Sequence, residues 1–171
     1  MVVDVRITRA AKLLTHFCLR VKKSETVLLS GSVLAEPWLK AIYTEVLHSV
    51  AFPILRMSFA DQDEIYYNNA TKIHLGTIGK AALSDARNAD AFLYIDTKDD
   101  QRRAAVIDPE KQAQSAKTMA PLRKLQHGKK WALTLFPSAW FAKDAGMSHP
   151  AFEDFVYAAM FCNHTDPVRQ W

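Results

Sequence analysis

Apolar residues recur along this chain in two rhythms, which predict alternating helices and short buried strands. Near the amino end they return every three or four residues, as on one face of an amphipathic helix. The residues of this stripe are Ile7, Ala11, Leu14, Cys18 and Val21. The basic pair Lys22-Lys23 follows and suits the negative end of a helix dipole, so the helix is expected to end there.

Four short apolar runs predict strands. They are Thr26 to Ser30, Pro53 to Phe59, Ala91 to Ile95 and Trp131 to Phe136. We expect Gly31-Ser32 to break the first strand, Asp96 to end the third and Pro137 to end the fourth. Their unbroken apolar character is typical of strands that are covered on both faces.

Helices are predicted between these strands. Pro37 sits in the first turn of a second helix, Asp61 is placed to cap a short helix, and residues 81–89 also read as helical. Asp108-Pro109 begins a long helix that must kink or stop near Pro121, and His127-Gly128 is its expected end.

The last helix has the clearest start, because Ser148 is placed as its N-cap and Pro150 lies in its first turn. Its expected apolar face is Phe152, Phe155, Val156, Ala159 and Met160. Trp131, Trp140 and Phe141 are also expected in or near the core.

Buried strands separated by helical crossovers predict an α/β fold, because parallel strands need such connections. We therefore expect a Rossmann-like, doubly wound, mainly parallel sheet of about four or more strands with helices on both faces. The length favours a single domain over residues 1–171. The order of the strands is not predicted by the pattern.

Composition supports a globular protein with 49 % apolar and 23 % charged residues and a net charge of +4. Residues 111–130 contain six lysines and arginines and no acid. A solvated helix face is the favoured interpretation and nucleic-acid binding the less favoured one, because no aromatic platform is interleaved with the charges.

The remaining bulk features favour a cytoplasmic protein. The start of the chain has no signal-peptide pattern, and no apolar stretch is long enough for a membrane helix. Cys18 and Cys162 are each expected to be small core residues. A disulfide between them is the alternative, but a protein with two cysteines is by default assigned to a reducing compartment, where both thiols are free.

In a doubly wound sheet, ligands usually bind beyond the carboxyl ends of the strands. Those ends present the candidate crevice residues Ser30, Gly31, Ser32, Asp96, Thr97 and Ser138. The first turn has one glycine where a dinucleotide fingerprint needs three, so a nucleotide site is disfavoured. We interpret Asp96 as a strand-end acid and Ser138 as a helix N-cap rather than a nucleophile, because the flanking glycines of a nucleophile elbow are absent.

No metal motif is visible. The six histidines form no H-E-x-x-H pair, and the two cysteines form no C-x-x-C. We therefore assign neither a catalytic residue nor a metal ligand, and expect no cofactor to be bound by this chain alone.

The order and spacing of several weak motifs nevertheless carry a resemblance. They are Val21-Lys-Lys-Ser-Glu-Thr-Val-Leu-Leu, Ala35-Glu-Pro, Ala91-Phe-Leu-Tyr-Ile-Asp, Trp131-Ala-Leu-Thr-Leu-Phe-Pro-Ser-Ala-Trp-Phe-Ala, Ala145-Gly-Met-Ser, Phe152-Glu-Asp-Phe-Val and Asp166-Pro-Val-Arg-Gln-Trp171. Together they span the chain, which resembles the N-terminal domain of the aminopeptidase T and aminopeptidase S family of metalloaminopeptidases.

This resemblance implies an enzyme about twice this length or more, with two divalent metal ions such as zinc or cobalt held by a C-terminal domain. None of the implied metal ligands matches a position in this sequence. The resemblance implies a peptide substrate and a homodimer for the full-length enzyme. For this chain it implies a non-catalytic N-terminal domain that contributes to the substrate cavity and to assembly.

The chain ends at Trp171, near the expected end of that first domain, which is consistent with an excised domain, a proteolytic remnant or a naturally short protein. The alternative function is a stand-alone Rossmann-like module that binds a small anion, a nucleotide or nucleic acid.

Overall fold

A computed structural model describes residues 4–97 and 107–171 of the chain. Four parallel strands form one sheet in the order β2-β1-β3-β4. The strands are β1 (Thr26–Ser32), β2 (Phe52–Ser58), β3 (Ala91–Asp96) and β4 (Lys130–Leu135). The predicted doubly wound α/β fold, with helices packed on the sheet, is confirmed.

Eight α-helices lie within the described residues. They are α1 (Val5–Lys12), α2 (Glu36–His48), α3 (Gln62–Asn69), α4 (Lys72–Gly76), α5 (Lys80–Asn88), α6 (Pro109–His127), α7 (Ala139–Asp144) and α8 (His149–Ala159). A π-helical segment, Leu13–Cys18, continues α1, and Val33–Ala35 and Val168–Gln170 are short 3₁₀ helices. None of the described helices is long and apolar enough to cross a membrane.

The chain crosses the sheet in opposite directions after β1 and after β2, so right-handed connections place α2 and α5 on opposite faces. On what we call the thick face, twenty buried residues form one cluster with α1, α2, α7 and α8. On the thin face, the buried cluster consists of Leu28, Ala89 and Phe92, with Ile54 and Tyr94 packed beside it.

Trp38 of α2 lies at the centre of the thick face. Its indole Nε1 donates a hydrogen bond to the hydroxyl of Tyr157 at 3.0 Å, so the polar atoms of both buried rings are satisfied. Arg6 of α1 lies over the ring of Tyr157, 4.4 Å from its centre, and also pairs with Asp4 and Asp154. Together these contacts tie α1 and α2 to α8 at the far end of the sequence.

The predicted helix boundaries agree with the structure at helix ends that are fixed by residues close in sequence. The carboxylate of Asp108 accepts the N–H of Glu110 at 2.9 Å, and the hydroxyl of Ser148 accepts that of Ala151 at 3.4 Å. Gly128 caps the carboxyl end of α6, as predicted. A short helix also follows Asp61, although the Asp61 side chain makes no capping hydrogen bond to it.

The prediction for the end of the first helix was wrong. The helical backbone ends at Cys18 instead of continuing to Lys22-Lys23, and Arg20 adopts a positive φ of 49°. The preceding turns are π-helical and so contain more residues per turn than an α-helix, which rotates the apolar stripe relative to its position in a regular α-helix. Cys18 is consequently exposed rather than a core residue, whereas Cys162 is buried as expected, and both thiols are free.

A further expectation also needs correction. Gly31-Ser32 does not break β1, because both residues pair with β2 opposite Met57 and Ser58. Of the two outcomes expected near Pro121, a kink or a stop, the stop does not occur, because α6 continues through Pro121 to its predicted end at His127.

Trp131 and Phe155 were expected in or near the core, but they are exposed. Trp131 lies on the outermost strand, where its ring stacks on His127 at 4.9 Å. Phe155 lies outside the buried stripe of α8, which consists of Phe152, Val156 and Tyr157.

Candidate functional site: a crevice at the strand ends

A crevice of about 480 Å³ opens beyond the carboxyl ends of the strands. Its walls come from the ends of β1 and β3, from the segment that follows β2, and from Leu133 of β4. The described lining residues are Ser30, Gly31, Ser32, Ser58, Phe59, Ala60, Asp61, Gln62, Asp63, Glu64, Tyr94, Ile95, Asp96, Thr97, Ile107 and Leu133.

The strand order explains why the crevice forms here. β1 lies between β2 and β3, and the chain leaves β1 and β3 in opposite directions across the sheet. No connection covers the gap between two neighbouring strands whose connections diverge, so a crevice remains above them. The sequence predicted a site at the strand ends, but the place of divergence depends on the strand order.

Gly31 has a packing role at the base of this crevice. A Cβ atom on Gly31 would lie 3.2 Å from the Cβ of Ile95 and 3.5 Å from a methyl carbon of Leu39. The absence of a side chain therefore lets β1 approach β3 beneath α2. This glycine serves strand packing, which removes the remaining basis for comparing its turn with a phosphate-binding loop.

The charge of the lining disfavours an anionic ligand. Asp61, Asp63, Glu64 and Asp96 contribute carboxylates, and no lysine, arginine or histidine is present among the described lining residues. Helix α3 begins at this wall, and its first turn carries Asp63 and Glu64. These carboxylates occupy the helix end that would otherwise attract a phosphate.

Five of the six predicted crevice residues line this cavity: Ser30, Gly31, Ser32, Asp96 and Thr97. Ser138, the sixth, does not line it. It is buried at the start of α7, where its hydroxyl accepts the N–H of Phe141 at 3.4 Å. The interpretation of Ser138 as a helix N-cap is confirmed.

Sequence reasoning missed the wall formed by residues 59–64 and by Tyr94. The acids Asp61, Asp63 and Glu64 follow directly after β2, which was the available signal. Tyr94 gave no such signal, because it lies inside an apolar strand and reaches the crevice only through the alternation of side chains. Burial raises the pKa of Tyr94.

A metal centre does not fit the described residues. Among residues 4–97 and 107–171, no three histidine, cysteine, aspartate or glutamate side chains come together where they could hold a metal ion. The buried carboxylate of Glu45 instead lies 3.0 Å from His16 Nε2, a contact between α2 and the π-helical segment, and 3.7 Å from His48 Nδ1 within α2.

The basic segment 111–130 is partly used within the domain. Lys111 donates to the carbonyl of Tyr67 at 2.7 Å, and Lys129 donates to the carbonyls of Arg87 and Ala89. Lys130 pairs with Glu25 at 2.6 Å. These contacts reduce the positive charge available to a nucleic acid and favour the structural interpretation of this segment.

Comparison with known proteins identifies the family. The sequence profile of the thermophilic metalloprotease family (M29) matches residues 3–171. The chain belongs to this M29 family. Its membership agrees with the resemblance seen in the sequence motifs.

Among solved structures, wild-type AmpT from Thermus thermophilus has a similar fold, with a TM-score of 0.71 and 15 % sequence identity. The match covers 90 % of this chain and 42 % of AmpT, so this M29 chain spans less than half the length of that protein. At this identity the likeness shows a shared fold. No curated protein sequence matches the chain.

Proposed function

We propose that this chain is the non-catalytic N-terminal domain of a metal-dependent aminopeptidase that releases N-terminal amino acids from peptides. The observation that carries the proposal is the M29 family match over residues 3–171. The structural match to 42 % of AmpT supports it, because it leaves more than half of that longer chain for other parts of an enzyme.

In this proposal the rest of the enzyme supplies the ligands for two divalent ions, such as zinc or cobalt. The described residues of this chain do not fit such a centre. Metal ions of this kind activate water and polarise the peptide carbonyl when they are bound. No part of that chemistry is assigned to the residues described here.

The domain's own contribution is a wall of the substrate cavity, formed by the strand-end crevice. Peptides that enter an aminopeptidase carry a free amino group, which is partly or fully protonated at neutral pH. The four carboxylates of the crevice provide a favourable potential for such a group, whereas its serine and threonine hydroxyls offer hydrogen bonds. The enzyme is expected in the cytoplasm.

The direct test of a non-catalytic domain is hydrolysis of aminoacyl nitroanilides by the purified chain with added zinc, cobalt or manganese. We expect no turnover above the rate of the metal solutions alone. A full-length M29 enzyme in the same buffers is the positive control. Metal-dependent turnover that co-purifies with this chain would contradict the proposal.

The role in the cavity is tested by a chimera in which residues 4–171 replace the matching region of AmpT. We expect Asp96→Asn in this chimera to raise KM for peptides with little change in kcat, because the carboxylate acts on binding and not on bond cleavage. Asp144→Asn, an exposed acid on α7 away from the crevice, is the matched control. Equal effects of the two substitutions on KM would argue against a substrate role for the crevice.

A further inference from the structure

The sheet is open along the free side of β4. In the strand order β4 is outermost, and within residues 4–97 and 107–171 no strand pairs with that side. Phe136, directly after β4, donates its N–H to the carbonyl of Asp96 on β3 at 2.8 Å. Because alternate residues of a strand direct their N–H and C=O groups to opposite sides, Trp131 and Leu133 direct theirs away from β3. The edge therefore presents donors and acceptors for another extended chain.

Two apolar side chains accompany these backbone groups. Trp131 and Leu133 lie opposite Phe92 and Tyr94 of β3, and so on the thin face of the sheet, where they are 47 % and 63 % exposed. The ring of His127 stacks on that of Trp131 with 4.9 Å between their centres, which fixes the position of the indole. A strand laid beside β4 would place every second side chain against these two residues.

The edge of β4 and the strand-end crevice are joined by Leu133, which belongs to both. The crevice lies at the carboxyl end of β4, since all four strands are parallel. An added strand would lie two strand spacings from Asp96 on β3, a distance on the order of 10 Å. About three residues of extended chain span that distance, so a peptide paired with β4 can continue into the crevice.

The two ends of β4 differ in charge. At the carboxyl end, Asp63, Glu64 and Asp96 line the crevice and have no ion-pair partner among the described residues. At the amino end, Lys129 keeps its positive charge and is held by two backbone carbonyls. An ammonium group is therefore favoured at the carboxyl end of β4, and a carboxylate at the amino end. A peptide with free termini matches this polarity only when it runs antiparallel to β4.

Thr97 is an independent sign of a ligand in the crevice. It lines the crevice and is only 8 % exposed, yet its hydroxyl makes no hydrogen bond to another described residue. Buried polar groups normally have a partner, and the crevice is the side from which one can reach Thr97. An ammonium group carries three donors, so it can bind this hydroxyl and a neighbouring carboxylate together.

We propose that an extended peptide with a free amino terminus binds as an additional strand, antiparallel to β4, with its ammonium group in the crevice. The proposal rests on the proposed function, which makes peptides the substrates of the enzyme. It adds a substrate class, namely peptides of about five residues or more that have apolar side chains at alternate positions. Main-chain hydrogen bonds would supply affinity, and the contacts with Trp131 and Leu133 would supply selectivity.

The first test is a titration of the purified 171-residue chain with a heptapeptide of alternating valine and serine, observed by amide NMR. We expect saturable binding, with slower hydrogen exchange at the Trp131 and Leu133 amides. A dipeptide of the same residues should bind about tenfold more weakly or less. Absence of heptapeptide binding overturns the proposal, as does equal binding of the dipeptide. Slow exchange that appears without peptide and increases with protein concentration means that a second copy covers the edge, and it also overturns the proposal.

Leu133→Pro examines the main-chain pairing. The N–H of Leu133 points away from β3, so proline should leave the sheet intact and remove the donor that pairs with the peptide. We expect the dissociation constant of the heptapeptide to rise about tenfold. Leu55→Pro is the matched control, because Leu55 lies on the opposite edge strand, β2, and its N–H also points outward. Circular dichroism verifies the fold of each variant.

Trp131→Thr examines the apolar contact and decides the matter if Leu133→Pro does not fold. Threonine keeps the strand and removes the exposed ring, so binding should weaken about fivefold. Phe52→Thr, at an exposed aromatic position of β2, is its control and should leave binding unchanged. Unchanged binding in Trp131→Thr, or equal weakening by the β2 control, overturns the proposal.

The direction of the peptide is tested by acetylating its amino terminus. Acetylation removes the ammonium charge and should weaken binding to the wild type about tenfold. Asp96→Asn should make that difference smaller, because one carboxylate of the crevice is lost. Asp144→Asn, an exposed acid on α7 outside the crevice, should leave it unchanged. Equal binding of the free and acetylated peptides to the wild type overturns the proposal.

These measurements involve binding and no turnover, so their failure is distinguishable from failure of the proposed function. Absence of peptide binding at β4 overturns the inference and leaves the assignment of a non-catalytic aminopeptidase domain in place. Metal-dependent hydrolysis by the purified chain contradicts that assignment, whatever the exchange rates at Trp131 and Leu133.

Discussion

The two faces of the sheet are covered by buried layers of different size, and the crevice residues of one strand are divided between these two layers. The thick face buries twenty residues, from β1, β3, four helices and the segments that adjoin them, in one cluster that includes Trp38 and Tyr157. On the thin face the buried cluster against the sheet has three residues, and Tyr94 beside them is only partly covered and reaches the crevice. Neighbouring residues of one strand therefore serve two different layers.

Because of this difference, the thick face contributes mainly to stability, whereas the thin face retains side chains that are available for binding. A thick layer excludes water and packs densely, so substitutions there leave cavities that the surroundings cannot fill. A thin layer can relax and keeps partly exposed side chains that are free to contact a ligand or a neighbouring domain. Three predictions follow the contrast, from the largest expected effect to the smallest.

The largest effect compares two adjacent, fully buried residues of β3 that face opposite sides. Leu93→Ala on the thick face should lower the free energy of unfolding by about 4 kcal/mol, and Phe92→Ala on the thin face by about 3 kcal/mol, although phenylalanine is larger. The reason is that the thin layer can close over the cavity. Urea unfolding measures both, and a larger loss for Phe92→Ala would show that the two faces pack equally tightly.

An intermediate effect concerns pH and Tyr157. Burial raises the pKa of its hydroxyl from 10.0 to about 12. Because the pKa of Tyr157 is higher in the folded than in the unfolded chain, folding favours the neutral hydroxyl. The contribution of this group to the free energy of unfolding is fully present below pH 10 and is lost as the pH rises towards 12. The loss is on the order of 2 kcal/mol.

Urea unfolding between these pH values should show that loss in the wild type and not in Tyr157→Phe. The phenylalanine variant also lacks the hydrogen bond to Trp38, so its stability should be lower at neutral pH. Identical pH profiles for the two proteins would mean that Tyr157 is not buried as deeply as the thick face requires.

The smallest effect is a gain in stability at Thr15, in the π-helical segment. Its Oγ1 is buried and has no hydrogen-bond partner among the described residues. Thr15→Val keeps the shape and removes the unsatisfied hydroxyl, so it should stabilise the protein by about 1 kcal/mol. Thr44→Val, at an exposed threonine of α2, is the control and should change the melting temperature little. A destabilised Thr15→Val protein would mean that the hydroxyl has a partner, such as a buried water.

Several elements were predictable because neighbouring residues determine them. Asp108, Pro109, Ser148 and Pro150 start helices through local hydrogen bonds and fixed φ angles. The four apolar runs became the four strands. The inner strands β1 and β3 are largely buried, as expected of strands covered on both faces, whereas the edge strands β2 and β4 contain no fully buried residue. Family membership was also visible, because it rests on the order of motifs along the chain.

Other features were not predictable from the local pattern. The π-helical turns after α1 shifted Cys18 out of the core, because the position of the stripe depends on how α1 packs against α2. Gly31 was read as a strand breaker, yet pairing with β2 on one side and close packing on Ile95 keep it within β1. Tertiary neighbours decided both outcomes.

The sequence alone determined the α/β class, the boundaries of most helices and strands, and the place of five candidate residues at the carboxyl ends of strands. These properties follow from periodicity, capping and turn residues, which act over a few positions. Only the tertiary structure decided the strand order β2-β1-β3-β4, and with it the crevice, the acidic wall after β2 and the open edge of β4. Strand order depends on contacts between distant segments, and local sequence patterns do not encode which strands become neighbours.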